Sequence, residues 1–247
     1  MRAGVVLHPV RKLDREAARR WARLPRMKGY GQYCAVARAH EALGGRWTLL
    51  VVRELLCGSR RFNDIRRGIP RISRTVLAER LQELTALGVM LRATGPHGPE
   101  YALTEGGRDL AGVVAALACW GQRWLPRRAR EEDLDLEPVL LDMQRRVRLD
   151  VLPRAPAVLR IEIRGHATRF MLLAPMEPSV CDHNPGFPES LRLHGPLAAL
   201  VAWWRGDAEF AAARRMGLLI EGRRELVRAF PGWFERYQFA EVEAKRA

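Results

Sequence analysis

The sequence predicts a mainly α domain built on a helix-turn-helix with a β-hairpin, followed by an α+β domain. Three observations predict it. Residues 34–125 fall into short helical runs bounded by Gly and Ser, then two strand-like runs around a Gly/Pro tip. From residue 157 the pattern changes to the apolar/charged alternation of half-buried strands. The charge is also divided unequally. Residues 1–130 hold 25 of the 42 Lys+Arg but 10 of the 28 Asp+Glu, a net of +15, and the remainder stands at −1. Only Lys12, Lys28 and Lys245 are lysines. A bias of the genome toward arginine would act on both halves alike, so the asymmetry points to a first half that faces a polyanion.

At 247 residues the chain can bury two cores, and 48% hydrophobic residues argue against wholesale disorder. No apolar run reaches the roughly 18–20 residues of a membrane span. The start, MRAGVVLHPVRKL, is too soon interrupted for a secretory signal. Cys34, Cys57, Cys119 and Cys181 contain no Cys-x-x-Cys pair, against a disulfide framework or structural zinc. A cytoplasmic, soluble protein without cofactor is expected.

The first element, residues 13–24, places Leu13, Ala17, Trp21 and Leu24 on one helical face before Pro25. Residues 1–26 are an N-terminal extension: a basic arm, an added helix, or an artefact of a start at Met27. A helix over 35–43 stops at Gly44-Gly45. A strongly apolar helix over 47–56 is central to the first core. A short helix over 62–67 turns Phe62 and Ile65 inward. Gly68-Ile69-Pro70 makes the turn, and Ser73 is the N-cap of a helix over 74–87 whose buried stripe is Leu77, Leu81, Leu84 and Leu87. Two helices joined by a tight turn, the second with a small and polar outer face, make a helix-turn-helix.

That outer face carries the chemistry of base reading. Arg74, Thr75, Ala78, Glu79 and Gln82 lie on it, and Arg and Gln make bidentate contacts to guanine and adenine edges in the major groove. Arg60, Arg61, Arg66, Arg67 and Ser73 are placed for phosphates, which fix register without reading sequence. Strands over 89–93 and 100–103 form a wing on which Arg92 and His97 could reach the minor groove or a phosphate; His97 also reads as a plain loop residue. A helix over 105–125 carries Leu110, Val113, Val114, Leu117, Gly121 and Trp124 on one stripe, longer than one small core needs, so part of it reads as a dimer seam. A homodimer would set two reading helices about 34 Å apart on a near-palindromic site in double-stranded DNA.

The ordered fragments Tyr30-Gly31-Gln32-Tyr33-Cys34, Leu43-Gly44-Gly45-Arg46-Trp47, Arg53-Glu54-Leu55, Arg61-Phe62-Asn63-Asp64 and Leu81-Gln82-Glu83-Leu84 resemble HxlR-type winged helix-turn-helix transcriptional regulators over residues 27–126. The resemblance implies a dimeric DNA-binding regulator. That pattern usually has a proline after the first cysteine, where this chain has Ala35. In some members the cysteine senses oxidants or electrophiles. Cys34 just ahead of a helix is placed for a lowered thiol pKa. It reads either as such a sensor or as an ordinary half-buried cysteine, and Cys57 and Cys119 read as packing residues.

Residues 127–137 switch from basic to acidic without apolar periodicity and read as a linker. A helix over 138–149 follows, then strands over 157–164, 169–173, 177–181 and 190–193. Helices over 196–205 and 207–214, a strand over 217–221 and a helix over 223–230 complete a sheet with helices on one side, leaving 236–247 as a tail. The order, with Leu193-His194-Gly195-Pro196, the Trp203-Trp204-Arg205-Gly206-Asp207 break and Leu218-Leu219-Ile220-Glu221-Gly222, resembles sterol carrier protein type two over residues 138–235. The resemblance implies an apolar tunnel. Trp203, Trp204, Phe210, Met216, Leu218, Phe230, Trp233 and Phe234 either line it or are plain core. This domain would hold a small apolar effector or add dimer contacts. Cys181-Asp182-His183 is the one run with metal-ligand chemistry, and three adjacent residues cannot converge on one ion. No hydrolase, P-loop, Rossmann or zinc-protease signature occurs, so no enzyme and no metal is expected. The rival expectation is a lipid carrier whose basic half binds anionic membrane surfaces.

Overall fold

The computed structural model describes residues 29–96, 98–126, 134–175 and 177–245. The expectations for the extension at 1–26, for His97 and for most of the linker therefore lie outside the described residues. The chain divides into two compact units, residues 1–114 and 115–247. The division falls within one helix.

In the first unit, α1 (Ala35–Leu43) is followed by α2 (Thr48–Leu56), α3 (Phe62–Gly68) and α4 (Arg74–Ala86). The strands β1 (Met90–Gly95) and β2 (Gly98–Leu103) and the helix α5 (Glu105–Trp124) come next. The core is Val51, Val52 and Leu55 of α2, Ile65 of α3, Leu77, Leu81 and Leu84 of α4, and Met90 of β1, with Ile69 and Ile72 from the turn between α3 and α4. These are the positions the 3.6-residue period marks, because only an arc of each helix can leave water. Ser73 caps α4 by accepting a hydrogen bond from the Val76 N–H at 3.2 Å.

Trp47, expected inside the second helix, instead sits at its N-cap with φ 78°, the one described non-glycine residue with positive φ. Its left-handed backbone takes the chain from Gly44-Gly45 into α2, and the Arg46 guanidinium lies 4.7 Å from its ring centroid. β1 and β2 pair antiparallel from Met90↔Leu103 to Gly95↔Gly98. The chain before α3 joins them, through an Arg61↔Glu100 bridge and a 2.8 Å hydrogen bond from the Tyr101 N–H to the Arg60 carbonyl.

The second unit holds the rest of α5, then α6 (Leu136–Arg145), a 3-10 turn (Leu149–Val151), β3 (Ala157–Ile163), β4 (Arg169–Leu173), β5 (Ser179–Cys181) and β6 (Glu189–Gly195). It closes with α7 (Leu197–Trp204), α8 (Phe210–Arg215), β7 (Leu219–Gly222), α9 (Arg224–Ala229) and a 3-10 turn (Phe230–Trp233). The five strands are ordered β5-β4-β3-β6-β7, with β3 and β6 parallel and the other pairs antiparallel. This is an α+β sheet. Leu159, Ile161 and Ile163 of β3, Met171 and Leu173 of β4 and Leu191 and Leu193 of β6 enter the core with α6 and α7. Arg160, Glu162 and Arg192, at alternate positions, are left on the opposite face in ion pairs.

Two helices differ from the sequence expectation for local reasons. α6 starts two residues early, since Pro138 is tolerated in a first helical turn. It ends at Arg145 rather than 149, because the backbone of residues 146–148 pairs with residues 233–235, including Glu235 N–H to Arg146 O at 2.8 Å. The helix expected over 207–214 begins at Phe210. The N–H groups of Asp207 and Ala208 both turn back to the Ala202 carbonyl, at 2.9 and 3.0 Å, and close the end of α7.

Candidate nucleic-acid interface

On α4 the burial of Leu77, Leu81 and Leu84 dictates what faces outward. Arg74, Thr75, Ala78, Glu79 and Gln82 are all exposed. The five expected base-reading positions thus share one open face of a helix thirteen residues long, rooted in the core on its other side. Gln82 also lines a groove of about 360 Å³ with Glu41, Ala42, Gly45, Arg80 and Glu83.

The expected phosphate group is less uniform. Arg60 is exposed beside the wing. Arg61 is exposed and stands 3.7 Å from Glu100 of β2, so part of its charge is answered within the chain. Arg66 and Arg67 of α3 are half-buried, and the Arg66 Nε is buried without a hydrogen-bond partner. Ser73 spends an oxygen lone pair on the α4 cap, leaving its hydroxyl proton free to donate. Arg92 is exposed on β1, opposite Tyr101.

Sequence reasoning missed the buried polar clamp that holds α2 to α3. Glu54 is 2% exposed. Its carboxylate accepts from Arg53 Nη2 at 2.7 Å and from the Ser59 hydroxyl at 3.3 Å, while Arg53 Nη2 also donates to the Gly68 carbonyl at 3.0 Å. A side chain at Gly68 would overlap this carboxylate, so the turn must be glycine. The available signal was Glu54 falling three residues after Val51, inside the buried arc. Thr104 is a second such residue. Its hydroxyl donates toward the Gly88 and Val89 carbonyls at 2.8 and 3.0 Å and accepts from the Gly107 N–H at 3.1 Å, tying the start of α5 to the strand entry.

Cys34 is the N-cap residue of α1 and is half-buried. The backbone N–H groups of Ala37 and then Val36 hold its thiol pKa below that of an ordinary cysteine. No hydrogen bond of standard geometry joins thiol to amide, so the influence is that of the N–H dipoles at the helix start. Tyr33 and Val36 beside it are exposed, as are Val113, Leu117, Trp120 and Trp124 along α5.

In the second unit Trp203, Trp204, Leu218 and Phe230 are core and Phe210 is half-buried against it, while Met216 is 49% exposed. Trp203 has ring centroids of Trp204, Phe210, Phe230 and Phe234 at 5.0–6.3 Å, so these rings fill the centre against one another. The Trp204 indole donates to Asp142 at 2.7 Å. His183 and Asp182 pair at 2.6 Å on the surface, and no metal-binding group of His, Cys, Asp or Glu occurs among the described residues. No helix of the described residues is long and apolar enough to cross a membrane.

A family model described as HxlR-like helix-turn-helix matches residues 42–129. An uncharacterised HTH-type transcriptional regulator of Mycobacterium tuberculosis is 44% identical over 96 residues, 38% of this chain and 60% of that protein. The match thus leaves two fifths of that relative uncovered. YvaP, an uncharacterised HTH-type transcriptional regulator of Bacillus subtilis, is 40% identical over 91 residues, 36% of this chain and 84% of YvaP. Among solved structures, the reduced form of the transcriptional regulator YodB from B. subtilis is 35% identical over 37% of this chain and 93% of its own, with a TM-score of 0.33. With most of YvaP covered at that identity, and an open-faced α4 capped and rooted in the first unit, the chain belongs to the HxlR-like helix-turn-helix family.

Proposed function

We propose that this chain is a dimeric transcription regulator of the cytoplasm that reads a near-palindromic site in double-stranded DNA. The observation that carries the reading is the face of α4, where Arg74, Thr75, Ala78, Glu79 and Gln82 are exposed together on a helix fixed by its buried leucines. Arg74 at the first turn and Gln82 two turns on contact base edges. Arg60, Arg61, Arg66, Arg67, Ser73, Arg92 and His97 meet phosphates. The uncovered apolar residues of α5 form the seam between two copies.

The C-terminal unit is a sterol-carrier-like regulatory domain for a small apolar effector. Its strand and helix order supports that assignment. Cys34, with its lowered pKa, supplies a second, redox input. Either input acts by favouring one spacing of the paired reading helices over another.

The test is fluorescence anisotropy on duplexes from the region upstream of the chain's own gene against scrambled duplexes of equal length. A preference of about a thousandfold or more is expected, the usual range of specific sites. Arg74→Ala and Gln82→Ala relax that preference by about 1–3 kcal/mol. Arg66→Ala instead weakens binding to all duplexes alike. Equal binding of native and scrambled duplexes, throughout a tiling of that region, would refute the reading.

A further inference from the structure

The C-terminal unit is close to neutral, and most arginines of its first helix and sheet are answered by carboxylates. Arg146 pairs with Asp142 at 3.0 Å, Arg160 with Glu162 at 2.7 Å, Arg169 with Glu137 at 2.5 Å and Arg192 with Glu162 at 2.5 Å. Arg123, Arg154 and Arg164 are also exposed without a carboxylate partner among the described residues, but the densest exception is one corner, residues 214–228. Arg214, Arg215, Arg223, Arg224 and Arg228 are all exposed, and none of their guanidinium groups has a hydrogen bond or ion pair among the described residues. Residues 214–228 contain two acids against these five cations. Of the two, Glu221 is already engaged by Arg192 and His194, at 3.4 and 3.1 Å, which leaves Glu225.

The fold explains why these side chains cannot turn away. Ala213 is buried, so the last turn of α8 directs Arg214 and Arg215 outward. β7 is the edge strand of the sheet, with Ile220 inward and Leu219 and Glu221 outward. α9 follows at once and packs Leu226 and Val227 on the core, which leaves Arg224 and Arg228, one turn apart, on its open side. The arginines thus bracket the edge strand, Arg214 and Arg215 before it and the other three after it, on the order of 20 Å along the chain direction.

We propose that this corner is a second DNA-contacting surface, which binds backbone phosphates outside the site read by α4; the inference rests on the DNA-binding function above. A guanidinium fork matches phosphate oxygens bidentately. A duplex offers one charge per about 1.7 Å of axis, so a strip of this length meets several phosphates without demanding a base sequence. Tethering to a unit already on DNA raises the local phosphate concentration, so weak individual contacts suffice. The exposed apolar side chains here are confined to Met216 and Leu219, so the corner is chiefly cationic rather than an apolar surface for membrane insertion.

The test uses the full chain, with duplexes of about 20 and 40 base pairs sharing one central sequence, titrated across a salt series. The variant carries Arg223→Gln, Arg224→Gln and Arg228→Gln. On the long duplex the magnitude of the slope of log K against log salt should fall by up to about 5 for the proposed dimer, near 0.9 for each phosphate no longer neutralised by the six arginines of two copies. On the short duplex the slope should change by less than about 0.9, the value for a single phosphate. The corresponding triple Lys variant should restore most of the slope, since charge rather than shape is what the phosphates sense. All three residues are exposed, and unchanged thermal unfolding of both variants excludes a folding defect. A wild-type chain that binds neither duplex would sink the DNA-binding function itself. Wild-type binding with an unchanged slope in the Gln variant overturns this proposal alone. So does an unchanged DNA slope accompanied by abolished binding to phosphatidylserine vesicles, which would assign the corner to a membrane.

Discussion

Gly106 and Gly107, adjacent in the first turn of α5, show how much one position can differ from the next. A Cβ at Gly107 would lie 2.0 Å from the Val89 carbonyl oxygen, while one at Gly106 would meet nothing within 4 Å. Gly107→Ala should therefore cost about 1–3 kcal/mol through overpacking against backbone that cannot yield. Gly106→Ala should gain about 0.5–1 kcal/mol from helix propensity. Chemical denaturation of the two variants checks both, and a stable Gly107→Ala would mean that α5 does not rest on the β1 entry. Cys34 yields a pH prediction with a defined sign. Its thiol pKa is lowered by the Ala37 and Val36 N–H groups, so thiolate persists to lower pH than in an ordinary cysteine. Alkylation by iodoacetamide should show a phase that rises below the pH of free cysteine and vanishes in Cys34→Ser; a profile matching free cysteine would remove the redox input. Gly107 looked like its neighbour in the sequence, whereas the helix start after Cys34 already pointed to a lowered thiol pKa.

Among the elements, α5 has the exposed side that most needs a partner. Val113, Leu117, Trp120 and Trp124 are about half exposed and recur at helical spacing of three and four residues. An apolar stripe of that length on a 20-residue helix is costly to leave in water. If α5 forms the proposed seam, Leu117→Glu should leave a chain sedimenting at 28.1 kDa, with DNA affinity falling at least about tenfold as paired half-sites are lost. A monomeric wild type at the same concentration would defeat the seam. Val113, Leu117 and Trp124 were legible from periodicity while Trp120 was missed, and the stripe of α4 and the strands β3 and β4 were legible as well. The ends of α6 and α8 were not, because long-range backbone partners at 233–235 and the turn onto Ala202 set them. Such contacts join residues that a local period does not relate.

Over the whole molecule, the two units distribute charge by different rules, and their stability should follow pH accordingly. In the second unit a ladder crosses the open face of the sheet, from Arg160 through Glu162 and Arg192 to Glu221 and His194. The Arg192 hydrogen bond, with Arg160 beside it, holds the Glu162 carboxyl below its usual range against the opposing effect of burial. A carboxyl depressed in the folded state contributes stability above its unfolded pKa and loses it as pH falls through the folded value. Glu162→Gln should therefore flatten the acid limb, from the ordinary carboxylate range downward, with little change in its shape above neutrality. Melting curves of the second unit's tryptophans from pH 7 to pH 3 measure it, and parallel acid limbs would contradict the assignment. In the first unit Arg60, Arg74 and Arg92 are exposed outside any such ladder.

Taken alone, the sequence determined the order and class of nearly every described element, the α4 stripe with its Ser73 cap, and the excess of basic residues in the first half. These properties are set by neighbours three or four residues away along a helix, two along a strand, or by summed charge, so they are written locally. The tertiary structure decided which polar groups are spent internally. It turned Glu54 into a buried clamp, paired Arg61 with Glu100, and left Arg214, Arg215, Arg223, Arg224 and Arg228 without carboxylates among the described residues. It also brought Trp203, Phe210, Phe230 and Phe234 ring against ring at the centre of the second core. A residue's type tells what it can bond, but its partner is fixed by which distant segments the fold brings within about 3 Å of it.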